Sequence, residues 1–574
     1  MNNQIFPGAQ WEHKTLKEAN VNEQQIGEMF RLIATQNKNI HAVALIKDGY
    51  KIFEHHTHPF QPEYPRHLCS CSKAYMSIAI GMLVKEKRLS VTDRIFPFFA
   101  DNVKAYADAI DSRYQEMTVR DLLTMASGQD PEDIIALSSE TDWVKAFFTT
   151  KLLHTPGTIF RYGGHQSYIL SAIVQKITGK RLFDYLDENL FCKIGIPRTC
   201  WKTHNGIDLG TNGLYFAADA MARLGWLMLN DGMWNGEQLV DKDYCIALGE
   251  KQIDIVPLFN DWEGQVYSYQ LWVYTDIEGY KASGNFGQVI FMMKQYNAVW
   301  VLQCGEEEDV TRIAHGFVEP ALRLGYTVPY PKLAACIQDY ENKEELFDAQ
   351  PVYLPENHKR YNGTYRLDKR VDYNTYADVY SVRFDSIRFS YDGTQLAVGF
   401  FLDETVNNGG DADEPANNSS SADDASLECR NATSAQDAIN LECKNATSAQ
   451  DDANPKHAAD PLDAMKWYRE AVHSGNRYQA NLNQMFQCGL HNRYIENTVG
   501  FVMGDCLTES HFALKAWFSD DTHLTIAYQG LEEPPRMMFH VEFLEGDAIR
   551  MQAKLYEKCS HNYDYDEMFV GTLL

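Results

Sequence analysis

The first 340 residues carry strand-forming runs at both ends and helical runs between them, an order that a single sheet assembled from distant segments satisfies. Residues 42–47 and 50–54 are apolar-rich and are separated by Asp48-Gly49, a pair suited to a two-residue turn in which both φ angles are positive. Residues 287–294 and 298–304 form a second apolar pair around a short polar turn. Between these pairs, residues 70–89, 119–125, 165–178 and 217–230 repeat apolar positions at helical spacing. The pattern predicts an α/β (α+β) domain over residues 1–340, an antiparallel sheet flanked by helices.

From residue 345 to 574 the pattern changes to short alternating runs at 361–366, 376–401, 513–518, 524–528, 537–543 and 549–555, which predicts a second, β-rich domain. Its aromatic residues, among them Trp467, Trp517 and Phe543, read as core. Residues 403–460 interrupt it with 13 acidic and 3 basic side chains and almost no aliphatic ones, too little apolar surface to offset the entropy of ordering. That insert is expected to be disordered. Within it, residues 427–437 recur at 441–451 with Arg430 replaced by Lys444.

A net charge of −27 over 574 residues argues against nucleic acid as a partner, because phosphate binding needs a basic surface. No apolar run approaches the roughly 20 residues needed to cross a membrane. The first residues lack a basic segment followed by an apolar one, which predicts a cytoplasmic protein. The twelve cysteines are scattered, and Cys69 and Cys71 stand too close to bridge, so free thiols are expected. No glycine-rich phosphate loop is present, and His55, His56 and His58 lack an acidic or cysteine complement at ligand spacing. Neither a cofactor nor a metal is expected.

Ser70 opens the first helical run with Lys73 three residues later, so the amine reaches the hydroxyl within one turn. A serine at a helix N-terminus is also favourably placed for developing negative charge. Alone, the pair reads more readily as an N-cap and a solvated lysine. Tyr162 lies where an extended segment turns through Gly163-Gly164 into the next helix, and a nearby ammonium would favour its phenolate. Residues 280–288 run from strand through the glycine-rich bend Ser283-Gly284-Asn285 into strand, where a free N–H could pair with that of Ser70 as an oxyanion hole.

Taken in order, these pieces resemble the serine β-lactamase and penicillin-binding-protein-like family, especially its class C and esterase branch. The segments 52–80, 118–128, 156–162, 213–223 and 284–288 carry the resemblance, which extends over roughly residues 20–325. It implies a β-lactamase/transpeptidase-like fold and a serine hydrolase. Ser70 would attack a carbonyl, Lys73 and Tyr162 would share the acid and base work, and the N–H groups of Ser70 and Asn285 would bind the oxyanion. Which group takes the first proton stays open.

Two departures shape the expected substrate. Gly164 stands where the family has an asparagine, with His165 and Gln166 as candidate replacements, and Ala282 stands where it has a lysine or histidine, Lys281 being one position off the face. Losing an amide donor and a cation favours a small ester or amide over a β-lactam. The competing expectation is an impaired site that binds a peptide or acyl ligand.

Overall fold

The computed structural model describes residues 4–36, 39–129, 142–255, 265–275, 278–305, 313–346, 353–355, 358–374, 381–401, 478–480, 484–488, 490, 494–503, 506–530, 536–555 and 566–574. The acidic insert and Trp467 lie outside them. Among the described residues no helix is long and apolar enough to cross a membrane.

The Asp48-Gly49 turn forms as its chemistry requires. Asp48 has φ 53° and Gly49 φ 84°, and the strands on either side, β1 (Ile40–Lys47) and β2 (Tyr50–His56), pair from Lys47 opposite Tyr50. With β3 (Gln265–Tyr267), β4 (Trp272–Tyr274), β5 (Gly279–Gly284), β6 (Gln288–Met293) and β7 (Ala298–Cys304) they make one antiparallel sheet in the order β2-β1-β7-β6-β5-β4-β3. The N-terminal hairpin thus pairs with the distant strand β7 at its centre, as the distribution of runs predicted.

Both faces of this sheet are covered, and alternation sorts the side chains. Ala44, Ile46, Ala282, Ile290 and Val301 share a core with α2 (Ser72–Lys85), while Val43, Leu45, Phe291 and Trp300 pack with Phe30 of α1 (Glu23–Gln36). The short helix α3 (Trp143–Thr149), α4 (Gly164–Thr178) and α5 (Ala218–Leu229) join the α2 side, and Tyr340 of α6 (Leu333–Leu346) joins α1. Helix α2 is buried on all sides from Ser72 to Leu83 rather than along one stripe, because it runs between the sheet and α4. It also ends at Lys85, short of the expected residue 89.

The C-terminal part is a second antiparallel sheet of eleven strands. These are β8 (Gly363–Asn374), β9 (Ser381–Tyr391), β10 (Leu396–Phe401), β11 (Tyr478–Ala480), β12 (Gln484–Cys488), β13 (Ile495–Met503), β14 (Cys506–Phe518), β15 (His523–Gly530), β16 (Arg536–Phe543), β17 (Ala548–Leu555) and β18 (Asp566–Leu573). The order is β11-β13-β14-β15-β16-β17-β18-β8-β9-β10-β12. The sheet curls so that β12 approaches β13, where the Asn497 side chain accepts from Gln487 N and donates to Gln487 O, each at 3.0 Å. Phe400, Phe512, Leu514, Phe539 and Phe543 fill its interior. Trp517 does not join them. It falls between the inward residues Ala516 and Phe518 and is half-buried on the opposite face.

Candidate active site

Ser70 sits in the 3-10 turn Cys69–Cys71 that leads into α2 rather than in the helix itself. The turn is held at both ends: Leu68 N donates to Leu214 O at 2.8 Å, and Ser72 Oγ donates to Cys69 O at 2.7 Å. Cys69 adopts φ 48°, a left-handed conformation that a non-glycine residue keeps only when its surroundings impose it. Lys73, 2% exposed, donates from Nζ to Ser70 Oγ at 2.9 Å and to the carbonyl of Thr211 at 3.0 Å. The hydroxyl and amine therefore meet as their spacing predicted. Burial pushes the neighbouring Cys71 thiol up, and its Sγ donates to Gln288 O at 3.2 Å, so it is no competing thiolate.

Tyr162 reaches Lys73 with its ring, whose centroid is 4.9 Å from Lys73 Nζ. Its backbone is fixed through Arg161 N, which donates to Met125 O at 2.7 Å. The ring stacks on Trp272 at 5.6 Å and meets Tyr267 edge-on at 6.3 Å. Tyr267 is fully buried, and burial together with the nearby Tyr162 holds its phenol well above the ordinary tyrosine value.

The two candidate replacements for the missing amide are used elsewhere. His165 is buried, packs 5.6 Å from the Phe147 ring, and has no hydrogen-bond partner at either ring nitrogen among the described residues. Burial lowers its pKa to about 3. The structure does not bring it into the cleft with Ser70, because the first turn of α4 directs it toward α3. Gln166 accepts from Ser127 N at 3.1 Å and donates to Arg161 O at 2.9 Å, tying the Ser127 segment to the residue before Tyr162. The space beside Gly164 is filled instead by Thr211.

At the other wall, β5 ends against the Ser70 turn. A Cβ on Gly284 would stand 2.5 Å from Leu68 O and 2.9 Å from Ser70 N, so only glycine allows this approach. Ser283 and Gly284 are partly exposed and Asn285 is exposed. Phe286, following Asn285, has φ 59°, and the Gln288 side chain holds the bend by donating to Phe286 O at 3.0 Å and Cys304 O at 2.7 Å. Ala282 is buried on the α2 side, and Lys281 lies on the other face with Nζ 5.2 Å from the Tyr274 ring centroid.

Sequence reasoning missed Thr211. It acts on Lys73 through a backbone carbonyl, which no side-chain motif records. The available signal was Gly210 and Gly213, both at positive φ, around it. This loop is tied to the Ser70 segment by Gly213 N, which donates to His67 Nε2 at 3.0 Å, and by Leu214 N, which donates to Ser72 Oγ at 3.3 Å. Among the described residues no cluster of three or more His, Cys, Asp or Glu is arranged to hold a metal. His55 Nδ1 lies 3.9 Å from Glu341, and His56 Nε2 lies 3.2 Å from Glu54.

Residues 31–311 match the family model described as Beta-lactamase. Among curated proteins, "Protein flp" of Staphylococcus aureus strain MRSA252 is 24% identical over 180 residues, covering 29% of this chain and 35% of that protein. The match thus spans about a third of the relative's length. Among solved structures, the octameric penicillin-binding protein homologue from Pyrococcus abyssi is 13% identical with a TM-score of 0.42, over 96% of this chain and 99% of that one. The penicillin binding protein from Bacillus halodurans is 17% identical with a TM-score of 0.40, over 50% of this chain and 98% of that one.

Proposed function

Through residues 31–311 the chain belongs to the Beta-lactamase family, and on that premise we propose that it is a serine hydrolase that cleaves a small ester or amide through an acyl-enzyme. The observation that carries this reading is the 2.9 Å hydrogen bond between Lys73 Nζ and Ser70 Oγ at the mouth of a buried helix. Ser70 Oγ attacks the carbonyl carbon, its proton passes to the Lys73 and Tyr162 pair, and the same pair returns a proton to the leaving group. The N–H groups of Ser70 and Asn285 bind the oxyanion, with left-handed residues at Cys69 and Phe286 turning the backbone beside each donor. Water then releases the acyl group with the proton transfers reversed.

The buried Ala282 and the lack of a side-chain amide at Gly164 favour a second reading, a site that binds an acyl or peptide ligand without turning it over. A fluorophosphonate probe separates the two. Covalent labelling of the wild-type protein that disappears in Ser70→Ala, together with loss of p-nitrophenyl acetate turnover, is the result expected of the hydrolase. A folded wild-type protein that is neither labelled nor active refutes it.

A further inference from the structure

We propose that Thr211 is the specificity-determining residue of this cleft and that it restricts turnover to short acyl groups, an inference that rests on the hydrolase reading above. Gly164 has no side chain, and the place where its Cβ would stand is taken by Thr211, with Oγ1 2.7 Å and Cβ and Cγ2 each 3.3 Å from it. The carbonyl of the same residue accepts from Lys73. One residue thus touches both the amine that serves the nucleophile and the start of α4, and it is partly exposed. An acyl chain on Ser70 Oγ leaves the nucleophile beside Lys73, so its first carbons meet the hydroxyl and methyl of Thr211.

Thr211 cannot retreat from such a chain. Its β-branch restricts χ1. On one side, Gly213 and Leu214 are hydrogen-bonded to His67 and Ser72. On the other, Gly210 approaches Ser167 so closely that a Cβ there would lie 2.6 Å from the Ser167 carbonyl. A single hydroxyl also offers one donor where a carboxamide offers a donor and an acceptor, so the position is poorer at holding a substrate amide than an ester.

The test is the p-nitrophenyl ester series from acetyl to decanoyl, measured for wild type, Thr211→Ala and Thr211→Ser, with fluorophosphonate labelling of each to count functional sites. Wild-type kcat/KM should fall beyond butyryl. Thr211→Ala should raise the octanoate-to-acetate ratio of kcat/KM roughly tenfold, the scale of one methylene's worth of pocket, with Thr211→Ser between the two. A wild-type protein inert to every ester and to the probe overturns the hydrolase reading and this inference with it. An active wild type whose chain-length profile is unchanged in a labelled Thr211→Ala protein overturns the inference alone, and should that variant not label, an unchanged profile in Thr211→Ser does the same.

Discussion

Ser70, Lys73 and Gly284 each do something no neighbour can take over. The Lys73 amine is buried with two acceptors, Ser70 Oγ and Thr211 O, and no acidic side chain appears in either contact. Lys73→Met keeps the length and removes the amine that the proposed mechanism uses as a proton carrier. Ester kcat is expected to fall by about 10²–10⁴, the usual contribution of a positioned acid or base, while the Thr211 carbonyl left without its donor costs about 1–3 kcal/mol of stability. Steady-state kinetics and urea unfolding of the same preparation check both. Gly284 acts through space rather than chemistry. In Gly284→Ala the new methyl meets the backbone at Leu68 and Ser70, which cannot rotate aside. The turn that carries Ser70 must shift, and a shift of about 1 Å at a reacting group costs on the order of 10²-fold in kcat/KM. A Gly284→Ala protein with wild-type kinetics would show that β5 does not set the position of Ser70.

At the scale of single elements, the hairpin and the meeting of Ser70 with Lys73 were legible because their information is local. Asp48-Gly49 specifies its own turn, and a three-residue spacing brings Lys73 to Ser70 in any helical turn. What sequence could not show depends on what covers each element. Helix α2 carries enough apolar residues to be buried all round, but it is the sheet on one side, α4 on the other and neighbours such as Val240 and Tyr244 beside Gly81 that make it so. The strand β13 was missed because Asn497 and Gly500 break its apolar alternation, although Asn497 is the residue that joins β13 to β12. His165 shows the same limit: position beside Gly164, where the family has an amide, suggested a ligand contact, and packing against α3 turns the ring elsewhere. That burial has a pH signature. An unfolded chain protonates this imidazole near 6.5 and the folded protein only near 3, so between those values the unfolded state binds an extra proton. The neutral packing therefore contributes its full stability above the upper value and loses it progressively down to the lower one. His165→Leu should flatten the dependence of unfolding free energy on pH in this window by up to about 1.4 kcal/mol per pH unit. Denaturant titrations from pH 4 to 7 that give equal slopes for both proteins would mean the imidazole is hydrated.

Across the whole molecule, two sheets with separate interiors meet through a small contact built on Phe60. Its ring lies 3.9 Å from the His41 ring and 4.3 Å from the Arg66 guanidinium on one side, and packs with Ala513 of β14 on the other, with Tyr64 and Tyr494 at the edge. The Tyr64 hydroxyl donates to the Glu496 carboxylate. Ala513 belongs to the outward face of β14 and yet is fully buried, as expected of a strand position covered by a partner surface. If this contact couples the two interiors, removing its centre should let them unfold apart. Phe60→Ala deletes a buried ring, for which about 3–5 kcal/mol is the usual cost in a core. Tyr64→Phe removes one exposed hydrogen bond, worth about 1 kcal/mol at most. Scanning calorimetry of the intact chain should therefore show one transition in wild type, little change in Tyr64→Phe, and two resolved transitions in Phe60→Ala. Ester kcat/KM in Phe60→Ala should stay within a few-fold of wild type, because the hydrogen bonds of Lys73 among the described residues run to the Ser70 and Thr211 segments. A single transition at the wild-type temperature in Phe60→Ala would mean that coupling between the sheets runs through other contacts.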